Sequence, residues 1–168
     1  VAYGGNFYAI VEPQGNYRSL DDLGARRILE LSPIIRDLVR KTYTPVHPLD
    51  PRITGVSHVL WAEPGENPAV QGRNAVFYGD KAIDRSPCGT GTSARLAHLW
   101  HKGIVRPDQP FIHESYIHSR FTGRIERETM AGDQPAIIPL ITGSAISTGF
   151  NTIWIDREDV FHAGFQVV

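Results

Sequence analysis

The stretch "DRSPCGTGTSAR", residues 84–95, holds the single cysteine of the chain. It is a turn feeding a helix N-terminus: proline, cysteine and two glycines lead into an Ala- and Leu-bearing run. Gly89 and Gly91 let the backbone approach a ligand closely. The unpaired N–H groups of a first helical turn, together with the helix dipole, make an anion site. The same field favours thiolate over thiol at Cys88. A carboxylate held on the amides of Gly89 and Thr90 would therefore lie beside a basic sulfur. Asp84, four residues upstream, is placed to meet a cationic amine on the same molecule. Anion site, thiol base and acid together describe a pocket for an amino acid. A lone cysteine is also, by type, a small buried hydrophobe, and at this point both readings stand.

Other motifs carry less. "GTGTSA" fits the G-x-G-x-x-A of a dinucleotide site and Asp108 follows at a suitable distance, but "DRSP" occupies what should be an apolar strand and Asp108 sits between prolines. A phosphate-binding Gly-Lys-Ser/Thr loop is absent. Acyl transfer through Cys88 would need a histidine base beside it, and sequence cannot bring any of the seven histidines alongside. His98 and His101, three apart on one helix, suggest no third metal ligand, and His113 and His118 have no ligand spacing. His58 differs from these. Inside "GVSHVLW" it is a polar group in an apolar strand and needs a partner, whether protein, water or substrate.

The elements that must position these residues are α+β and strand-rich. Val1 to Val11 reads as a strand interrupted at Gly4-Gly5 by a bulge or a close backbone approach. Ser19 starts a helix that carries Leu20, Leu23, Arg27 and Leu31 on one face. Ser32-Pro33 reads as the N-cap and first turn of a second helix. Pro45, Pro48 and Pro51 mark a connection. Strands are expected over 56–62, 75–78, 111–127, 136–141 and 152–155. Residues 92–102, "TSARLAHLWHK", form a helix apolar over much of its circumference, hence buried, with Gly103 at its C-terminal cap.

The bulk numbers suit one soluble domain: 168 residues, 41% hydrophobic and 21% charged. A net charge of -1 with interspersed signs gives no electrostatic basis for binding nucleic acid or an anionic membrane. The apolar runs are too short to span a bilayer. One cysteine cannot make an internal disulfide, which favours a reducing, cytoplasmic setting. The chain opens directly in β-type sequence with no initiator Met, which suggests a fragment whose upstream part is missing.

The cysteine motif resembles the second cysteine motif of the proline racemase family, and "YGGNFYAIVEP" resembles that family's mid-chain glycine strand. The likeness continues through "RNAVFYGDKAIDRSPCGTGTSAR", "FIHESYIHSRFTGRIE" and "TGFNTIWIDREDVFHAGF", with the greatest similarity to the hydroxyproline branch. The resemblance implies a diaminopimelate-epimerase-like lobe, β-structure wrapped around a central helix at about 92–102, with substrate bound between two such lobes and no cofactor or metal. It implies epimerisation at Cα of 4-hydroxyproline by two acid/base thiols, one of them Cys88. Gly89 and Thr90 would bind the carboxylate and Asp84 the ring amine. His58 and Tyr78 would face the pyrrolidine ring, with His58 near the 4-hydroxyl; Tyr78 is equally a core residue by type. Proline racemisation and a non-catalytic imino-acid-binding lobe are the rival functions. The Met-Cys-Gly-His type of motif found in the family's first lobe does not occur here. Residues 1–150 are thus expected to form a second lobe, and 151–168 a terminal segment returning towards a missing first lobe. Alone, such a chain would turn nothing over. Its partners would be that lobe, the imino acid and, in a homodimer, a second copy.

Overall fold

The computed structural model describes residues 1–166. Their elements, in order, are β1 (Ala2–Tyr3), β2 (Phe7–Val11), α1 (Leu20–Thr42), β3 (Val46–His47), β4 (Asp50–Thr54), β5 (Val56–Pro64), β6 (Gly72–Tyr78), β7 (Ala82–Ile83), α2 (Gly89–His101), β8 (Phe111–Ser115), β9 (Arg120–Ala131) and β10 (Gln134–Thr142). The main sheet runs β1-β2-β5-β6-β8-β9-β10, with β7 paired to β6. Two pairings are parallel, β2 with β5 and β6 with β8. A parallel pair needs a crossover, and α1 and α2 supply the two.

Side-chain alternation along the central strands explains the layers. Phe7, Ala9, Val59, Trp61, Ala75 and Phe77 point to one face, where Leu20 and Ile28 of α1 complete a buried cluster. Tyr8, Leu60, Ala62 and Val76 point to the other, against Ala94 of α2. The sheet then curls so that Phe111, Ile125 and Ile137 of β8, β9 and β10 enclose Leu96 and Leu99. Close wrapping requires a glycine at 123, where a Cβ would come within 2.8 Å of a Leu96 methyl. The expected α+β architecture, strands around a buried helix, is the one observed.

The end of α2 is built as the sequence implies. Gly103 has φ 71, its N–H donates to Trp100 O at 2.8 Å, and Ile104 N–H donates to Leu99 O at 2.9 Å. This pair of bonds is a Schellman cap.

Three expectations are corrected. The first helix does not restart at Ser32. It bends at Gly24, which has φ 72 and ψ 153, and runs on to Thr42 with Pro33 inside it. Ser32 is no cap because its hydroxyl has other work: it donates to Ile28 O at 2.6 Å and accepts the Trp61 indole N–H at 2.8 Å. The buried helix begins at Gly89, three residues before the expected 92, because the turn amides already join it. Residues 152–155 form no strand. Their apolar pattern lacks a neighbouring strand to supply hydrogen bonds, and Ile146, Phe150, Ile153 and Trp154 are exposed. Of the expected terminal segment, residues 167 and 168 lie outside the described residues. No described helix is long and apolar enough to cross a membrane.

Candidate active site

Cys88 is the N-cap of α2 and sits at φ 64, ψ 123. A non-glycine residue in that region is strained, and such strain gathers at functional positions. A chain of bonds holds it. Asp84 Oδ1 accepts from the Ser86 N–H at 2.8 Å and the Ser86 hydroxyl at 2.9 Å. Ser86 Oγ in turn accepts the Cys88 N–H at 3.1 Å. Behind the turn, the Pro87 carbonyl accepts from Asn74 Nδ2 at 2.9 Å and Thr92 Oγ1 at 3.2 Å. The turn is clamped from both sides.

The sulfur points along the first turn of α2, where the Gly91 N–H donates to Sγ at 3.4 Å. A side chain at 91 would press on it, since a Cβ there would lie 3.3 Å from Sγ. Among the described residues the N–H groups of Gly89 and Thr90 have no partner. Gly89 is exposed and Cys88 and Thr90 are half-buried, so the group faces outward. A cavity of about 630 Å³ lined by Glu12, Arg95, Leu99 and Phe111 lies elsewhere and does not border Cys88.

Two residues not singled out from sequence belong to this assembly. Tyr8, fully buried on β2, brings its hydroxyl to 3.3 Å from Cys88 Sγ and 2.6 Å from Thr90 Oγ1. Burial, then the bond to Cys88, pushes the phenol well above its ordinary range, so it keeps its proton. His113, fully buried on β8, has Nδ1 3.0 Å from Thr92 Oγ1. Burial pushes its imidazole down to about 3. It is neutral, and its Nδ1 also lies 3.4 Å from Asn74 Nδ2. His113 Nε2 and Asn74 Oδ1 are buried without a partner. The signal for both residues was the one applied to His58, a polar group inside an apolar strand.

Of the residues expected from sequence, Cys88, Gly89, Thr90 and Asp84 come together. One oxygen of Asp84 serves the turn, and the other has no partner among the described residues. His58 joins through Tyr8: the two are register partners on parallel strands, and their rings lie 4.9 Å apart. His58 Nδ1 is 2.6 Å from Ser57 Oγ, and burial followed by the Arg36 charge lowers its pKa. Tyr78 ends β6 with 44% of its surface exposed. It makes no hydrogen bond to the Cys88 group among the described residues. No trio of His, Cys, Asp or Glu among them is placed to hold a metal ion.

Fold and site define a class: an α+β fold whose enclosed helix begins at a strained cysteine flanked by open amides. The chain belongs to the proline racemase family, whose profile matches residues 1–166. It is 55% identical over 167 residues to the 4-hydroxyproline epimerase of Brucella suis, an alignment covering 99% of this chain and 50% of that protein. It is also 55% identical over 171 residues to 4-hydroxyproline 2-epimerase 2 of Brucella anthropi, covering 99% and 51%. Among solved structures, a hydroxyproline epimerase from Agrobacterium vitis with bound trans-4-OH-L-proline superposes with a TM-score of 0.83 at 34% identity, over 98% of this chain and 47% of that one. A probable proline racemase from Agrobacterium radiobacter with bound carbonate gives a TM-score of 0.79 at 32% identity, over 98% and 48%. The chain spans about half the length of the curated relatives it matches.

Proposed function

We propose that the chain forms one lobe of a cofactor-independent isomerase that inverts Cα of 4-hydroxyproline, interconverting the trans-4-hydroxy-L and cis-4-hydroxy-D forms. The observation that carries this reading is the meeting of Cys88 Sγ with two open amides at the head of α2. The substrate carboxylate accepts from the N–H groups of Gly89 and Thr90. The ring ammonium meets the open oxygen of Asp84. Cys88 as thiolate takes the α-proton and becomes a thiol, while the C–H electron pair passes to a carbanion delocalised onto the carboxylate. The fixed amides hold the charge that develops there. A second thiol on the opposite face returns a proton to Cα and becomes a thiolate, and the reverse turnover resets both.

One thiol on one face cannot take and deliver on opposite sides, so the second belongs to another lobe. The half-length coverage of relatives supports that division, as do the exposed apolar side chains after residue 143, which such a lobe would cover. The names of the relatives support hydroxyproline over proline. His58, with Nδ1 turned to Ser57, keeps Nε2 for the 4-hydroxyl. Tyr78 has no step in this scheme.

The test is turnover in D2O by protein carrying both lobes, offered 4-hydroxyproline and proline separately. Deuterium enters Cα of hydroxyproline with inversion, and Cys88→Ala lowers the rate by on the order of 10²–10⁴-fold. The 168-residue chain alone gives no inversion. Turnover that survives Cys88→Ala sinks the scheme, and faster turnover of proline reassigns the substrate. Binding without exchange would mean a non-catalytic imino-acid module.

A further inference from the structure

Cys88 has a neighbour whose chemistry the scheme above leaves unused. In a reversible inversion each thiol is a base in one direction and an acid in the other. A partner able only to donate, such as the Gly91 N–H at 3.4 Å, can bond the thiolate but cannot accept from the thiol. The Tyr8 hydroxyl, 3.3 Å from Sγ, can both donate and accept. It is backed at 2.6 Å by the Thr90 hydroxyl, which has the same dual capacity.

We propose that Tyr8 is a further catalytic residue, an amphoteric partner of the Cys88 sulfur working in relay with Thr90; this rests on the isomerase reading above. With Cys88 as thiolate, Tyr8 O–H donates to Sγ and Thr90 O–H donates to Tyr8 Oη. With Cys88 as thiol, S–H donates to Tyr8 Oη and Tyr8 O–H turns to Thr90 Oγ1. Two hydroxyl rotations exchange the states, and no proton leaves either oxygen. The only proton the sulfur gains or loses is the one exchanged with Cα.

The surroundings suit this role. The phenol is fully buried, so its ring is fixed by packing. Its neighbour on β5 is His58, whose pKa is lowered by burial and by Arg36 of α1. Asp84 approaches from the turn before α2, and the first turn of α2 carries no acidic side chain. The Tyr8 hydroxyl at 3.3 Å is thus the nearer of two hydroxyls that can follow the sulfur through both states, with that of Thr90 at 3.6 Å. Gly4 and Gly5 let the chain before β2 cross the helix head, since a Cβ at Gly4 would fall 2.3 Å from Thr90 O.

The experiment is Tyr8→Phe in protein carrying both lobes, with the alkylation rate of the Cys88 peptide by iodoacetamide followed against pH by mass spectrometry. The ring is kept, and thermal melting checks the fold. The alkylation midpoint should rise by about one pH unit, the tenfold weight of one charge-assisted hydrogen bond. kcat should fall about tenfold in both directions with KM nearly unchanged, as expected when a bond acting on the reacting sulfur is lost. Thr90→Ser keeps the relay and should keep the midpoint, whereas Thr90→Val should shift it even if Tyr8→Phe fails to fold. An unmoved midpoint in Tyr8→Phe, or in Thr90→Val where only that variant folds, overturns the proposal. If the unsubstituted protein fails to invert hydroxyproline, the isomerase reading falls. The catalytic role of Tyr8 falls with it, although the alkylation midpoint still decides its pairing with Cys88.

Discussion

His113 gives the sharpest quantitative expectation. Its ring is fully buried under the Pro87 turn, and burial lowers its pKa to about 3. In the unfolded chain the same group titrates near its ordinary value of about 6.5. The folded state thus binds the proton less readily than the unfolded one. The stability tied to this group is complete above pH 6.5, falls as pH drops through the window between 6.5 and 3, and falls no further below it. Linkage over that span gives a loss of about 2.5 kcal/mol between pH 7 and pH 4.5. Carboxylates held low by ion pairs, Glu12 at about 2 among them, lose their contribution chiefly below pH 4.5, outside this comparison. His58 and His98 are also lowered and act in the same direction, so His113 is isolated by difference. Urea unfolding followed by the fluorescence of buried Trp61, at both pH values, should show His113→Phe losing about 2.5 kcal/mol less than the unsubstituted protein. Any cavity or packing cost of the substitution appears at both pH values and cancels. Equal losses in the two proteins would refute the claim that this imidazole is neutral and sealed.

Three further expectations follow from the same geometry. Cys88→Gly should be more stable than Cys88→Ala by about 1–2 kcal/mol in thermal or urea unfolding, because glycine tolerates the positive φ at that turn; equal stability would mean the turn is unstrained. Gly4→Ala should cost about 1–3 kcal/mol, since its Cβ would meet backbone atoms of Thr90 and Ala94 at 2.3 Å. Hydrogen exchange at the Gly91 and Thr92 amides should rise with it, and an unchanged melting temperature rejects the contact. Arg73, 1% exposed, pairs with Glu63 at 3.1 Å and with Asp21 at 2.8 and 3.0 Å. Arg73→Met leaves Glu63 charged and buried, a loss of about 3–5 kcal/mol at neutral pH. That deficit should narrow on acidification, since burial already raises the Glu63 pKa.

What could be read from sequence was what neighbouring residues decide. Gly103 marks the end of α2 because a cap is a local motif, and Gly4-Gly5 announces a close approach because only glycine permits one. The head of α2 was legible for the same reason, its thiol, amides and acid lying within seven residues. What escaped depends on contacts across the chain. Tyr8 is a polar group in an apolar strand, but its partners lie 80 and 82 positions away. Asn74 and His113 stand on strands with no local hint of the Pro87 carbonyl and the Thr92 hydroxyl that they respectively meet. Ser32-Pro33 looked like a helix start because local preference favours one, but the buried Trp61 needed an acceptor and took the serine. Residues 152–155 have strand composition, yet a ladder is made by two strands and composition describes one.

The thiol's setting is drawn from parts of the chain made at very different times. Tyr8 is synthesised long before residue 88, and the strands that enclose α2 come after it. A nascent chain that has reached this sulfur already holds Tyr8, and their contact waits on β2 packing against the head of α2. Loosening at the amino-terminal edge would break that contact again while most of the sheet stood intact. Reactivity at one atom is in this way a gauge of whether β2 is seated on the head of α2.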